Sequence, residues 1–144
     1  MNDPETTNES VPQWFWVAAV LALLFEAAGC VMYLSQVTTD HSTLPLDERA
    51  MWAATPTWVM AAYAVAVWVG LVGALLLLLR RRLAVPLLFV SLIAAIVQFS
   101  GLFIDRQLRQ TVPESALIVP ILVIFGCYLV FSLARLTRRR GWLR

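Results

Sequence analysis

The residue with the most chemistry in this chain is Glu26, set inside the apolar run FWVAAVLALLFEAAGCVMYL. It stands about twelve residues into that run, or about 18 Å along a helix. A carboxylate near the centre of a bilayer is costly, so it must be protonated, hydrogen-bonded or turned toward a wet cavity. Three other residues reach a comparable depth: Gln98 at about 22 Å, Trp68 close to it, and Tyr63 somewhat further out. Glu26, Gln98, Trp68 and Tyr63 therefore form one candidate buried polar cluster. As a functional group it would bind a proton or a substrate. As a structural group it would be a neutral glutamic acid pinning the first helix to the third through Gln98.

The remaining chemistry is sparse. Cys30 and Cys127 fall at about 24 Å and about 13 Å from the same membrane edge, too far apart for a disulfide, which needs Cα atoms within about 7 Å. His41, the single histidine, follows Asp40 in a polar stretch and reads as a solvated loop residue rather than a surface metal ligand. No cysteine or histidine spacing points to zinc or haem, and no P-loop, nucleotide-binding glycine pattern, nucleophile elbow or HExxH is present. Neither a cofactor nor a metal is expected, and nor is an enzyme.

The elements that must position Glu26 follow from composition. Of 144 residues, 60% are apolar and 14% charged, against about 25% charged in an ordinary soluble domain. A soluble domain this small has too little interior to hide so many apolar groups. A soluble enzyme, a nucleic-acid module and a disordered chain are thereby set aside. Four apolar runs, residues 14–34, 57–79, 83–104 and 115–136, are each about 31 to 35 Å long as helices, enough to span with some tilt. The expected fold is all-α: a single integral membrane domain, a four-transmembrane-helix bundle running up-down-up-down.

Pro12, Pro56 and Pro86 mark helix starts, where a missing N–H costs least, whereas Pro120 falls inside the fourth run and should kink it or leave a carbonyl unpaired. Trp14, Trp16, Trp52 and Trp58 sit near span ends, where indole prefers the interface. The acidic leader MNDPETTNES and the length of the first run predict a retained helix, not a cleaved signal peptide. Residues 1–13 then form a polar tail and 137–144 a basic one. The loop 35–56 carries LPLDERAMWAAT, read either as a short interfacial helix started by Pro45 or as an irregular surface loop.

All eleven basic residues are arginine. Eight lie on one side, in the turn Arg80, Arg81, Arg82 and in the tail that includes Arg138, Arg139 and Arg140; three lie on the other. The positive-inside rule then places both termini in the cytoplasm. These arginines fix topology and could also meet anionic lipid headgroups of the bilayer. Between helices, small residues allow close approach. Ala18 and Ala22 lead up to Glu26 and Cys30 at four-residue spacing, and Ala62, Ala66, Gly70 and Ala74 repeat it in span two, widened by Gly73. The two stripes are expected to face each other, with a dimerisation face as the alternative.

Taken together, PQWFWVAAVLALLF, TPTWVMAAYAVAVW and LLLLLRRRLAVPLL followed by Ser91 and Leu92 resemble a family of small, uncharacterised four-helix proteobacterial inner-membrane proteins, some labelled sugar transporters. The resemblance covers roughly residues 12–100 and is weaker over span four; the family more often carries asparagine where Glu26 stands. It implies residence in the bacterial inner membrane and no assigned activity. LALLFEAAG is also similar to the first helix of small multidrug resistance transporters, whose membrane glutamate exchanges protons for cationic drugs. YAVAVWVGLVG resembles their aromatic–glycine helix, here in the second span rather than the third. The leading expectation is a non-enzymatic structural or accessory protein, in a homo-oligomer or beside a larger membrane complex. The alternative is a small proton-coupled transporter using Glu26.

Overall fold

Prolines open the long helices, as their missing N–H dictates. The computed structural model describes residues 11–144; the acidic leader and most of the polar tail lie outside the described residues. Pro12 precedes α1 (Gln13–Thr38) and Pro56 precedes α3 (Thr57–Leu78). Pro86 lies in the first turn of α4 (Ala84–Ile104). Pro120 stands in the first turn of the fourth span's α-helix rather than in its interior. The fourth span begins with a 3-10 turn, Glu114–Leu117, so the α-helix proper, α6 (Ile118–Arg139), starts only two residues before the proline. A first-turn N–H has no intrahelical acceptor, so the ring is tolerated there. Two short helices complete the chain: α2 (Leu46–Ala54), with Asp47 and Glu48 in its first turn, and α5 (Arg106–Thr111), capped by the Asp105 carboxylate. α1 runs four residues beyond the expected end, because SQVT lacks any helix-stopping residue.

No strand occurs among the described residues, and four helices are long and apolar enough to cross a membrane. The chain is a multi-pass membrane protein. Its apolar side chains divide accordingly: many large ones remain on the outer faces, where lipid would meet them, and small ones line the seams.

The α3–α4 seam is the tightest. Ser91 Oγ donates to the Ala66 carbonyl at 2.7 Å, Gly73 lies under Leu88, and Gly101 lies against Val59. The small-residue stripe of α3 is thus turned toward α4 as well as toward α1. Gly70 touches both neighbours, with the Glu26 carboxyl on one side and Ser91 on the other. Ala18 is only half-buried, while Ala22, Ala66 and Ala74 are buried and Ala62 borders an outer α3–α4 groove. Between α1 and α3, Cys30 Sγ donates to the Val67 carbonyl at 3.3 Å, and the Tyr33 and Tyr63 rings meet edge-on at 5.3 Å. Phe89 and Phe131 join α4 to α6.

The arginine end of the bundle is closed by two matching helix terminations. After α3, Arg80 adopts φ 58°, its N–H bonds Leu77 O, and Arg81 N–H bonds Leu76 O. After α6, Gly141 adopts φ 71°, its N–H bonds Arg138 O, and Trp142 N–H bonds Thr137 O. Both are Schellman motifs, which satisfy the last carbonyls through one left-handed residue. The two turns then pair: Arg82 N–H donates to Arg144 O, Arg144 N–H to Arg80 O, and Arg80 Nε to Trp142 O. What reads as a basic tail is a docked strap. Trp142 and Leu143 are buried in a cluster with Phe15, Leu77, Leu88 and Val130, and the Arg140 guanidinium stacks on Trp142.

Candidate functional site

Above that cluster the four long helices diverge around a cavity of about 380 Å³. Within binding pockets, which span about 300 to 1,000 Å³, this is room for a small molecule. Its polar wall comes from three helices. α1 supplies Glu26, α3 supplies Tyr63, and α4 supplies Ser91 and Gln98; Phe25, Phe99 and Cys127 add aromatic and thiol surface.

Each placement has a local cause. On α3, Tyr63 sits seven residues before Gly70, two helical turns along the same face, so it looks the same way. On α4, Ser91, Ala95 and Gln98 follow i, i+4, i+7 spacing and share one face. Gly70 makes room for the carboxyl: a Cβ there would stand 2.7 Å from Glu26 Cδ and 2.7 Å from Ser91 Oγ.

Glu26 is 4% exposed, and its Oε1 has no hydrogen-bond partner among the described residues. Burying such an oxygen unpaired costs several kcal/mol, on the order of 2 to 7 for a neutral polar group and more for a charge. Protonation of the carboxyl removes its charge and lowers that cost. The structural pin to Gln98 is not made through that oxygen; the two side chains share the cavity wall instead.

Of the four cluster residues read from the sequence, the structure brings Glu26, Tyr63 and Gln98 together around the cavity. Trp68 does not join them: it is 43% exposed on the outer surface of α3. It stands two residues from both Ala66 and Gly70, hence about 200° around the helix from the buried face. Ser91 and Cys127 are cavity residues that sequence reasoning missed. The signal for Ser91 was its shared face with Gln98; for Cys127 there was none, because α6 is apolar on the faces flanking it.

No set of three or more His, Cys, Asp or Glu side chains among the described residues is arranged to hold a metal ion. Cys30 and Cys127 are both free and buried. The His41 and Trp52 rings meet edge-on with centroids 4.0 Å apart, at the end of the bundle remote from the arginine turns. The neighbouring Asp40 accepts from Ser42 N–H at 2.9 Å, and hydrogen bonding from Ser42, its side chain first and its backbone second, holds this carboxyl below the usual range.

Comparison with known proteins returns nothing: no protein-family model, no curated protein and no solved structure matches this chain.

Proposed function

We propose that the protein is a carrier of the bacterial inner membrane that binds a small molecule in its central cavity and couples that binding to the protonation of Glu26. Its spans run up-down-up-down, with both termini and the Arg80–Arg82 turn in the cytoplasm, as the eight-to-three arginine split argues. It performs no covalent chemistry on its ligand. The observation that carries this reading is the buried Glu26 carboxyl, unpaired at Oε1, on the wall of a cavity large enough for a ligand. A purely accessory role in a homo-oligomer or larger complex would use Glu26 as a hydrogen-bonded pin, and the unpaired oxygen favours the carrier instead.

The test is proton release from purified protein in weakly buffered detergent when ligand probes are added. Tetraphenylphosphonium serves as a lipophilic cation and glucose as a neutral sugar. The expected result is release with one probe, abolished in Glu26→Gln, whose melting curve should match the parent because the amide keeps shape and hydrogen-bonding capacity. Silence with both probes, or release that survives Glu26→Gln, refutes the reading.

A further inference from the structure

A second chamber of about 260 Å³ lies beneath α2, between that helix and the facing ends of α1 and α3. Gln36 and Met60 line both this chamber and the central cavity, so two side chains form the wall between them. The chamber carries one carboxylate, Glu48, and no basic side chain lines either space. The helix above it is held in place. Arg49 Nη2 donates to Ser42 O and Leu44 O, and the Trp52 ring meets His41 edge-on, so α2 roofs the chamber through ordered contacts.

The opposite end is closed. Between Glu26 and the arginine turns lies the cluster of Phe15, Leu77, Leu88 and Trp142, each at most 5% exposed, with the Gly141–Arg144 strap across it. Along the α1–α6 seam, Phe25 closes on Gly126, where an added Cβ would meet the ring at 2.6 Å.

We infer that the chamber under α2 is the entrance to the central cavity, that Gln36 and Met60 are its inner gate, and that Glu48 makes it an entrance selective against anions. This rests on the carrier reading for what the cavity binds, but the route itself is a property of the fold and is tested without a ligand. A solute in this state reaches Glu26 from the α2 face and not from the arginine face. One carboxylate in a confined mouth raises the local concentration of cations and lowers that of anions, an effect of about tenfold at the low end for charged clefts. That preference declines as salt screens the charge.

The experiment uses the full chain in sealed proteoliposomes of known orientation. Two thiol reporters line the central cavity: the native Cys127 in a chain whose Cys30 is replaced by alanine, and Gln98→Cys in a chain whose Cys30 and Cys127 are both replaced by alanine. The probes are the cationic trimethylammonioethyl and the anionic sulfonatoethyl methanethiosulfonates. In either case the thiolate takes the reagent's alkylthio group and releases methanesulfinate, and the added mass reads the rate. Each rate is normalised to that reagent's rate with a free thiol.

Both reporters should be labelled from the α2 face, the cation faster than the anion by about tenfold, with Glu48→Gln and high salt each narrowing the ratio. Met60→Trp should slow labelling by either reagent at least about tenfold by plugging the shared wall. Glu26→Gln should leave unchanged the face from which the reporters are labelled, so a failed proton-release assay and a failed entrance remain separate results. Labelling only from the arginine face, from both faces equally, or from neither overturns the inference. So does a Met60→Trp variant that folds yet labels at the parental rate, since solute would then enter between α1 and α6 from the bilayer.

Discussion

Gly70 and Gly73 lie three residues apart on the same helix, yet the structure predicts different consequences for the same substitution. Replacing a helical glycine by alanine contributes about 1 kcal/mol through helix propensity at either position. The new methyl group then meets different neighbours. At Gly73 it would stand 2.8 Å from Leu88 Cγ, 2.9 Å from its Cδ2 and 3.2 Å from its backbone N. Leu88 is 2% exposed and belongs to the closed cluster, so α4 itself must move. Overpacking of that kind costs about 1 to 3 kcal/mol, and backbone involvement places it in the upper half. The net loss for Gly73→Ala is about 1 to 2 kcal/mol. At Gly70 the methyl meets the Glu26 carboxyl and the Ser91 hydroxyl. The carboxyl is the end of a flexible side chain with a cavity of about 380 Å³ beside it, into which it can swing. Ser91 loses its bond to Ala66, worth about 0.6 kcal/mol on average between membrane helices, and an off-rotamer glutamate adds about 0.5 to 1.5. Set against the propensity gain, these terms leave Gly70→Ala with a net loss of about 0.1 to 1.1 kcal/mol, smaller than that of Gly73→Ala. It should nevertheless silence proton release, because Glu26 no longer sits where it is buried now. Steric trapping in bicelles reads the two stabilities, and the probe assay reads the function. If Gly70→Ala is the less stable variant, or if it releases protons as the parent does, the carboxyl's placement by Gly70 is wrong.

Three further outcomes follow from the local geometry. Pro120→Ala should change stability by no more than about 0.5 kcal/mol, since a first-turn proline forfeits no intrahelical bond; a gain near 3 kcal/mol would mean the ring sits in a helix interior after all. Gly141→Val should cost about 1 to 2 kcal/mol, because a side chain is forced into the left-handed region that Gly141 occupies at φ 71°, and limited proteolysis should release the C-terminal residues faster. Asp40 should keep its Ser42 contact at every pH above the ordinary carboxylate value of about 4. A carboxyl whose value is lowered by folding stabilises above its unfolded value and loses that contribution only as pH falls through the folded one. The Ser42 amide resonance should therefore stay fixed from neutral pH to about 5 and move only below about 4; movement beginning near neutrality contradicts the cap.

The four spans were legible because hydropathy is a one-dimensional property, readable without knowing what packs on what. Depth was legible for the same reason: counting residues placed Glu26, Tyr63 and Gln98 at compatible levels. Azimuth was not legible from depth, and Trp68 shows the consequence. It matches Gln98 in depth but stands opposite the Ala66–Gly70 face, which the four-residue spacing already defined. In an all-apolar helix nothing but such small-residue periodicity distinguishes the faces. The strap failed for another reason. RLTRRRGWLR reads as a run of topology charges, yet a glycine after a basic last turn, followed by an apolar residue, is the pattern of a Schellman termination with its hydrophobic contact. The Arg80 turn had no such sign, since nothing in arginine favours positive φ. It is imposed by the short connection, residues 79–83, that must reverse the chain and by the bonds from Arg80 and Arg82 to the strap.

The cavity is a consequence of unequal seams. Along α3–α4, small residues or a buried hydroxyl occur at every level of contact, from Gly73 through Ala66 and Ser91 to Gly101, so the two backbones stay close over the length of both helices. α1 and α6 have no such series. They touch where Phe25 meets Gly126, and nearer the arginine end the strap carries Trp142 onto Phe15. Beyond Gly126, Met32 of α1 and Val119 and Val123 of α6 belong to the cavity wall, and Met32 and Val119 stay more than half exposed. Bulk at the closed end and small residues on a single seam therefore tilt the helices apart toward α2. The carboxyl of Glu26 sits at the level where the packing stops. In that position, beside Gly70 and on the cavity wall, its Oε1 is buried with no hydrogen-bond partner among the described residues.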